Sequence, residues 1–462
     1  MKFFCHPKFH IMSKVSLKKQ KKKHVATFPL VNIDSAGIDI SDKEMMVAVP
    51  VDRDEEFVRA FGSFTCELHQ IAKWLKSCKI STVAMESTGV YWVQLFLILQ
   101  DYGFEVYLVN SRYVKNVTGR KTDESDAMWI QKLHSCGLLK NSFQPDNATR
   151  TLRALVRHRK SLVKGGSAYV NRMQKSLEQM NIKVHTVISD ILGKTGTLII
   201  EAILSGERSA ATLAGLADRR IKASKEDMVK SLEGDWRAEH LFELKHSYEI
   251  YNYHQAKIEE CNQQIEQQLL EQIADKNGGD ISFLDANKTA TKSGQKNQVS
   301  FDLKLYLKSL LGVDPTEIFG ISEISTLEIV SETGTDMSKW PNEKHFTSWL
   351  GLAPNNKISG GKIISSRIMK KKHNAGQAFR MAANSLYRSQ NPLGDYYRRI
   401  KARQGAGKAV VATARKLAVI YYNMVSKKEG FNPNQLLEYQ EKYKQKKIRS
   451  LEKRSADLKE AS

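Results

Sequence analysis

The chain has 462 residues, with 72 Lys and Arg against 50 Asp and Glu, so its formal net charge is +22 at pH 7. That length predicts two to four domains. The excess of cations favours a polyanionic partner, most simply nucleic acid, over a generically basic soluble protein. We expect no membrane span, because no apolar run reaches roughly 18 residues, and no signal peptide. Five scattered cysteines are typical of a reduced, cytoplasmic protein.

After a basic disordered arm at 1–30, residues 31–148 are predicted to form an α/β domain. A hairpin is expected within 35–50, because two apolar runs flank a Ser-Asp-Lys turn. Helices and strands then alternate, which is the pattern of an α/β sheet domain. They are predicted as a helix at 67–78, a strand at 80–85, a helix at 90–99, a strand at 105–109 and a helix at 123–133.

Residues 149–275 are predicted to be a helical, coiled-coil arm. Long helical patterns at 149–183 and 236–275 could pair as a coiled coil, with a compact helical segment inserted between them. A polar linker at 276–305 precedes a mainly α domain at 306–430, and 431–462 is a charged tail. The start of that domain follows helix-hairpin-helix logic, although an ordinary helical hairpin fits the pattern as well.

Four carboxylates carry the most chemical information in this chain. Asp39 lies on a predicted strand, Glu86 ends a buried strand, and Asp123 and Asp126 share one helix face because they are three residues apart. Cores do not accept lone carboxylates cheaply. Their hard oxygens suit Mg²⁺, and two such ions could activate the attacking and stabilise the leaving oxygen of a phosphodiester.

Simpler explanations exist for each of these acids taken alone. Asp123 and Asp126 could complement the dipole at a helix N-terminus, and Glu86 could be a loop acid. Three nearby acids compete with them, and spacing does not exclude Asp34, Asp42 and Glu124.

A Ser-Gly-Gly-Lys motif at 359–362 is the second chemical feature. Glycines permit close approach of the backbone to a phosphate, and Lys362 can neutralise it. The Ser359 hydroxyl could attack a phosphodiester and hold DNA covalently. A plain Ser-Gly-Gly turn is the alternative.

These segments together resemble a known family. The ordered set is Gly-Ile-Asp-Ile-Ser at 37–41, Met-Glu-Ser-Thr-Gly-Val-Tyr at 85–91, Lys-Thr-Asp-Glu-Ser-Asp-Ala at 121–127, Trp-Leu-Gly-Leu-Ala-Pro at 349–354 and Ser-Gly-Gly-Lys at 359–362. It is similar to the DEDD transposases of bacterial insertion sequences, the insertion sequence one-ten family, which are relatives of the Piv DNA invertase. The resemblance covers about residues 35–425.

The resemblance implies a RuvC-like, RNase H-type N-terminal domain, a coiled-coil arm and a C-terminal transposase domain. It implies Asp39, Glu86, Asp123 and Asp126 as Mg²⁺ ligands, and Ser359 as the nucleophile that joins to DNA. It also implies a structured, element-encoded bridge RNA as a partner beside the DNA ends and target. We expect a homo-oligomer, a dimer or a tetramer. The predicted nucleic-acid contacts are Arg153, Arg157, Lys160, Lys362, Arg367 and Lys371.

Two departures accompany the resemblance. The segment 185–300 is longer than in shorter members of the family. Residues 363–366 read Ile-Ile-Ser-Ser, where a basic residue and a glycine are expected.

The leading hypothesis from the resemblance is a recombinase that excises and inserts a mobile element. The alternatives are a RuvC-like metal-dependent nuclease, which would not need Ser359, and a non-enzymatic RNA- or DNA-binding protein.

Overall fold

A computed structural model describes residues 29–110, 123–281, 297–368 and 373–460. The chain divides into two compact units between Gln144 and Pro145, four residues before the predicted end of the α/β domain. Within the described ranges, no helix is both long and apolar enough to cross a bilayer.

A mixed five-stranded sheet with the strand order β3-β2-β1-β4-β5 organises the first unit. The first three strands are antiparallel neighbours, whereas β4 and β5 run parallel to β1. The strands are β1 (Ser35–Ile40), β2 (Glu44–Ala48), β3 (Val58–Gly62), β4 (Thr82–Glu86) and β5 (Glu105–Val109). The predicted hairpin and the two later strands are confirmed, whereas β3 was not predicted.

One face of the sheet carries the main core of this unit. Alternate residues of the strands, such as Ile38, Val47 and Met85, point to that face and are buried, as period-two alternation requires. Helices α1 (Thr65–Ser77) and α2 (Trp92–Asp101) cover it, and both were predicted. Because α1 and α2 cover this face, a functional side chain of the sheet must lie on the other face or at a strand end.

The opposite face carries small residues, which allow a helix to lie close. Helix α3 (Asp123–Ser135) packs there, with Ala127 against Met46 and Ala48, and with Ile130 against Ala84. This helix was predicted over 123–133.

Two long helices dominate the first part of the second unit, α4 (Asn147–Gln179) and α8 (Ala238–Lys276). They pack side by side and antiparallel, because Arg159 Nε donates to Asn262 Oδ1 at 2.6 Å while Gln272 Nε2 donates to the Ala148 carbonyl at 3.2 Å. The inserted segment shares a separate hydrophobic core with the adjoining ends of these helices, which contribute Met173 and Leu177 of α4 and Leu244 of α8. Its helices are α5 (Lys194–Leu204), α6 (Ala210–Gly215) and α7 (Lys225–Leu232).

The remaining described residues are mainly helical and surround an aromatic core that includes Phe346, Phe379 and Tyr421. The elements are α9 (Leu303–Leu311), α10 (Glu323–Thr333), α11 (Glu343–Trp349), β6 (Lys357–Ser359), β7 (Lys362–Ser365), α12 (Asn374–Ser385), α13 (Pro392–Gln404), α14 (Ala406–Lys427) and α15 (Asn434–Glu460). Helix α9 therefore begins inside the predicted linker. Helix α13 and the β6–β7 hairpin were not predicted.

Candidate active site

Asp39 and Glu86 lie on neighbouring parallel strands at the same level. The β1–β4 register pairs Ile38 with Met85, so Asp39 and Glu86 are the next residues of the two strands. Residues at matching positions of adjacent strands project from the same face and lie about 4.8 Å apart across the sheet. Both side chains are half-buried, and both interact with other residues. The two acids share the face on which α3 packs.

Gly37 determines how closely α3 approaches that face. A Cβ at this position would stand 2.2 Å from the Gln131 backbone nitrogen and 2.4 Å from the Ala127 carbonyl oxygen. No side chain fits in such a gap, so glycine is required for the helix backbone to touch β1 two residues before Asp39.

The direction of α3 follows from contacts at its C-terminal end. There the Val31 nitrogen donates to the Ser135 carbonyl at 2.7 Å, and His134 Nε2 lies 2.9 Å from Thr82 Oγ1. Thr82 is the first residue of β4, so α3 runs antiparallel to β1 and β4. Its N-terminal end, with Asp123 and Asp126, therefore lies toward the strand ends that carry Asp39 and Glu86.

Simple distances along the two elements agree with that direction. Asp39 lies about 7 Å beyond Gly37 along the strand, at about 3.3 Å per residue. Starting midway between Ala127 and Gln131, Asp126 lies about 4.5 Å and Asp123 about 9 Å along the helix, at 1.5 Å per residue. The level of Asp39 thus falls between the levels of the two helix acids.

His134 anchors the other end of α3. The ring is buried and packs 4.7 Å from the Tyr107 ring centroid. Burial lowers the pKa of His134 to about 4, so the imidazole is neutral at pH 7. Its bond to Thr82 is therefore a neutral hydrogen bond that ties α3 to the sheet. Sequence reasoning missed His134 and the packing role of Gly37.

The donor set fits a hard divalent cation, because the four candidate residues offer carboxylate oxygens only. Among the described side chains, no three His, Cys, Asp or Glu groups lie close enough together to hold a metal ion. Asp126 is half-buried in α3, while the Asp123 side chain lies outside the described part of the chain. The structure thus brings Asp39 and Glu86 to one strand level and orients α3 toward them, without an assembled metal cluster among the described residues.

The competing acids lie in different surroundings. Asp34 precedes β1, at the opposite end of that strand from Asp39, and pairs with Arg53. Asp42 is exposed in the turn between β1 and β2. The Glu124 side chain lies outside the described residues.

Ser359 is the last residue of β6 and directly precedes a two-residue hairpin turn. It pairs with Lys362 across β6 and β7, and the intervening Gly360 and Gly361 have φ values of +54° and +74°. Two consecutive positive φ angles are the type I′ requirement, which glycine satisfies without strain. A Cβ on either glycine would meet no described atom within 4 Å, so conformation selects glycine here. Ser359 and Lys362 are both exposed.

The predicted basic surface of α4 is engaged by acids of α10. Arg157 donates to Glu332 through Nε at 2.7 Å and Nη2 at 2.9 Å, and Arg153 Nη2 donates to the Glu332 carbonyl at 2.7 Å. Lys160 Nζ lies 2.9 Å from Glu328 Oε2. These cations therefore have a structural role that sequence reasoning missed, and their contact with nucleic acid stays a prediction. Arg367 is exposed, and Lys371 lies outside the described residues.

Two family models match this chain. Residues 36–182 match a DEDD transposase model of the IS110 type, and residues 316–398 match the transposase IS116/IS110/IS902 family. The first match contains all four candidate acids and the second contains Ser359. No curated protein matches the chain. The α/β unit with its strand-end acids, taken with these matches, defines a transposase, an enzyme that binds, cleaves and rejoins DNA. More particularly, both matched models describe the IS110 family of insertion-sequence transposases, which supports an IS110-family transposase.

Proposed function

We propose that this transposase excises and inserts its insertion sequence by a serine-dependent, Mg²⁺-assisted recombination. Asp39, Glu86, Asp123 and Asp126 would hold Mg²⁺, and Ser359 would be the nucleophile. The observation that supports it most strongly is the common level of Asp39 and Glu86 on parallel strands, with the N-terminal end of α3 directed toward them.

The sheet supports a RuvC-like, RNase H-type assignment for the first unit. An antiparallel β1–β2–β3 meander is followed by β4 and β5, each parallel to β1 and each preceded by a helix. In open α/β sheets, functional groups gather at the carboxyl ends of the parallel strands. Asp39 and Glu86 occupy that position.

Mg²⁺ bound by these carboxylates would supply charge stabilisation at the scissile phosphate. The acids would orient the Mg²⁺ ion, because each offers two carboxylate oxygens from a strand or a helix. Ser359 Oγ would attack the phosphorus, forming an Oγ–P bond while the P–O bond to the leaving DNA strand breaks. The hydroxyl proton is lost from Oγ, and the leaving strand oxygen gains one. The serine–DNA diester then conserves the bond for attack by another strand end.

Lys362 would assist this step from across the hairpin. It is paired with Ser359 in the β6–β7 register, so its ammonium group can reach a phosphate held at the serine hydroxyl. Guidance by a bridge RNA and assembly into a dimer or tetramer are further parts of this proposal. Their support is the resemblance to the family and, for the RNA, the net charge of +22.

Covalent capture of DNA tests the proposal directly. A nicked suicide substrate carrying element ends is incubated with the protein and Mg²⁺, and the products are resolved on a denaturing gel. The wild-type protein should give a protein–DNA adduct that Ser359→Ala abolishes, together with cleavage. Ser366→Ala is the matched control, because it removes an exposed hydroxyl just beyond the same hairpin. If Ser359→Ala still cuts and the wild-type protein gives no adduct, the protein is a hydrolytic nuclease instead.

A further inference from the structure

A stretch of the second unit carries positive charge without any acid. Residues 396–428 contain nine Lys and Arg and no Asp or Glu. In contrast, Arg153, Arg157 and Lys160 of α4 meet Glu328 and Glu332 of α10. Many cations gathered on packed helices create a positive potential, which favours an anionic ligand.

Part of this stretch lines a cleft between α13 and α15. The cleft has a volume of about 480 Å³, and its lining includes Arg398, Arg399, Arg403, Lys444 and Lys447. Among the described residues that line it, Asp395 is the sole acid. The cleft therefore gathers five cations from two helices against one carboxylate.

Asp395 links α13 to α15 by hydrogen bonds. Its carboxylate accepts hydrogen bonds from Arg398 of α13 and from Gln440 of α15. Arg398 Nη1 also donates to the carbonyls of Tyr387 at 3.1 Å and Ser389 at 2.8 Å. Arg398 and Asp395 are thus structural. The other four lining cations give the cleft its positive charge, although Lys444 also lies 3.9 Å from the exposed Glu441 outside the lining.

Tyrosine rings orient one of these cations. The Arg399 guanidinium lies 3.9 Å from the Tyr443 ring centroid and 5.3 Å from that of Tyr396, and Lys416 Nζ lies 5.0 Å from the Tyr396 centroid. Burial, together with the neighbouring charge of Arg399, lowers the pKa of Lys416. Since cations lie over these rings, the rings serve to position charge and do not offer open platforms for stacking bases.

We propose that the α13–α15 cleft is a binding site for the phosphodiester backbone of a nucleic acid, contacted by Arg399, Arg403, Lys444 and Lys447. The ligand is a backbone because cations dominate the lining and the Arg399 guanidinium already lies over the Tyr443 ring. Contacts of cations to phosphate carry no sequence information. This site rests on the proposed function and deepens it, since the inference assigns part of the nucleic-acid binding to one cleft. RNA and DNA share the phosphodiester, so both are tested.

Helix α15 provides a matched pair of faces for the experiment. Gln440, Tyr443, Lys444 and Lys447 follow the i, i+3, i+4, i+7 spacing of one helix face and line the cleft. Lys442 and Lys446 lie outside that lining on the same helix. Lys442 is 4.0 Å from Glu438 and Lys444 is 3.9 Å from Glu441, so each face also has one exposed ion pair of similar geometry.

The test compares Lys444→Glu/Lys447→Glu with Lys442→Glu/Lys446→Glu in the full chain. Both variants lower the net charge equally and alter the same helix, and circular dichroism verifies that both fold. Binding to duplex DNA, single-stranded DNA and duplex RNA of unrelated sequence is measured by anisotropy from low to moderate salt. The cleft variant should lose affinity uniformly across sequences and should reduce the slope of log K against log[salt] by about 1.8 for duplex DNA, at about 0.9 per lost contact. The control should keep the wild-type slope.

If the two variants lose affinity equally, the effect is one of net charge alone. If the cleft variant binds like the wild-type protein, its helix face is only solvated. Either outcome overturns the inference. The polymer whose binding responds identifies the ligand. This binding assay involves no chemistry, so its failure is separable from that of the proposed function. An intact serine–DNA adduct with a null result here removes the cleft alone, whereas a positive result without any adduct removes the recombination mechanism alone.

Discussion

The α-carbon of Gly37 faces the backbone of Gln131, and a Cβ on Gly37 would lie 2.2 Å from the Gln131 nitrogen. The contact joins β1 to α3. The position of the helix acids relative to Asp39 therefore depends on the absence of a side chain at Gly37. The geometry of the candidate site thus depends on a packing constraint two residues away from Asp39.

Gly37→Ala should destabilise the first unit by about 1–3 kcal/mol, since the added methyl has no space and α3 must shift. Denaturant unfolding followed by tryptophan fluorescence measures the loss. Gly407→Ala in α14 is the control, because a Cβ there meets nothing within 4 Å, and it should be neutral or slightly stabilising. Wild-type stability in Gly37→Ala would contradict the close packing of α3.

His134 should make the stability of the first unit depend on pH. Its pKa is about 4 in the folded chain against an ordinary value of 6.5, so the unfolded chain binds a proton in this interval and the folded chain does not. Stability is therefore full above pH 6.5 and falls as the pH decreases toward 4, by up to about 3 kcal/mol. Denaturant titrations across this window measure it. His134→Gln should flatten the dependence, while the exposed His158→Gln should leave it unchanged.

Glu332→Gln should be far more damaging than Glu328→Gln, although both lie on α10 one turn apart. The Glu332 side chain is 4% exposed and faces Arg153 and Arg157. Removing its charge leaves the largely buried Arg153 and the half-exposed Arg157 without their counter-charge, at a cost of about 3–5 kcal/mol. The Glu328 pair with Lys160 is more exposed and should contribute under about 1 kcal/mol. Unfolding midpoints of the two variants decide this, and equal values would contradict it.

Acid should weaken the same contact. Burial acts to raise the pKa of Glu332, but hydrogen bonds from Arg157 and Asn374 and the charge of Arg153 outweigh it and hold the pKa below its ordinary value of 4.5. The stabilisation is therefore present above pH 4.5 and is lost as the pH falls through the lowered pKa. The Glu332→Gln variant should lack this part of the acid sensitivity.

Alanine at Asp39, Glu86, Asp123 or Asp126 should abolish strand cleavage and spare nucleic-acid binding. Loss of a metal ligand removes several kcal/mol of transition-state stabilisation, on the order of a 100-fold or greater fall in rate. Removing a negative charge does not weaken binding to a polyanion. The control is Asp42→Ala, which alters an exposed acid in the neighbouring turn. Full cleavage by Asp126→Ala, or by the wild-type protein in EDTA, would contradict the metal assignment.

Much of the first unit was predictable because its signals are local. The β1–β2 hairpin, α1, β4, β5 and α3 follow from apolar periodicity and turn residues within short windows. Strand β3 was missed because it is half-buried along its length and lies at the sheet edge. Helix α13 was missed because five of its 13 residues are charged and few are aliphatic. The β6–β7 hairpin was missed because its strands are short and exposed.

The sequence by itself determined the identities and the order of the candidate residues, the net charge and the resemblance to a transposase family. Only the tertiary structure decided which residues meet. Asp39 and Glu86 share a level because β1 and β4 pair in parallel, and Arg157 binds Glu332, which is 175 positions away. The physical reason is that composition and periodicity act over a few residues. Strand register, helix direction and ion pairing depend on contacts between distant segments, which exist once the chain has folded.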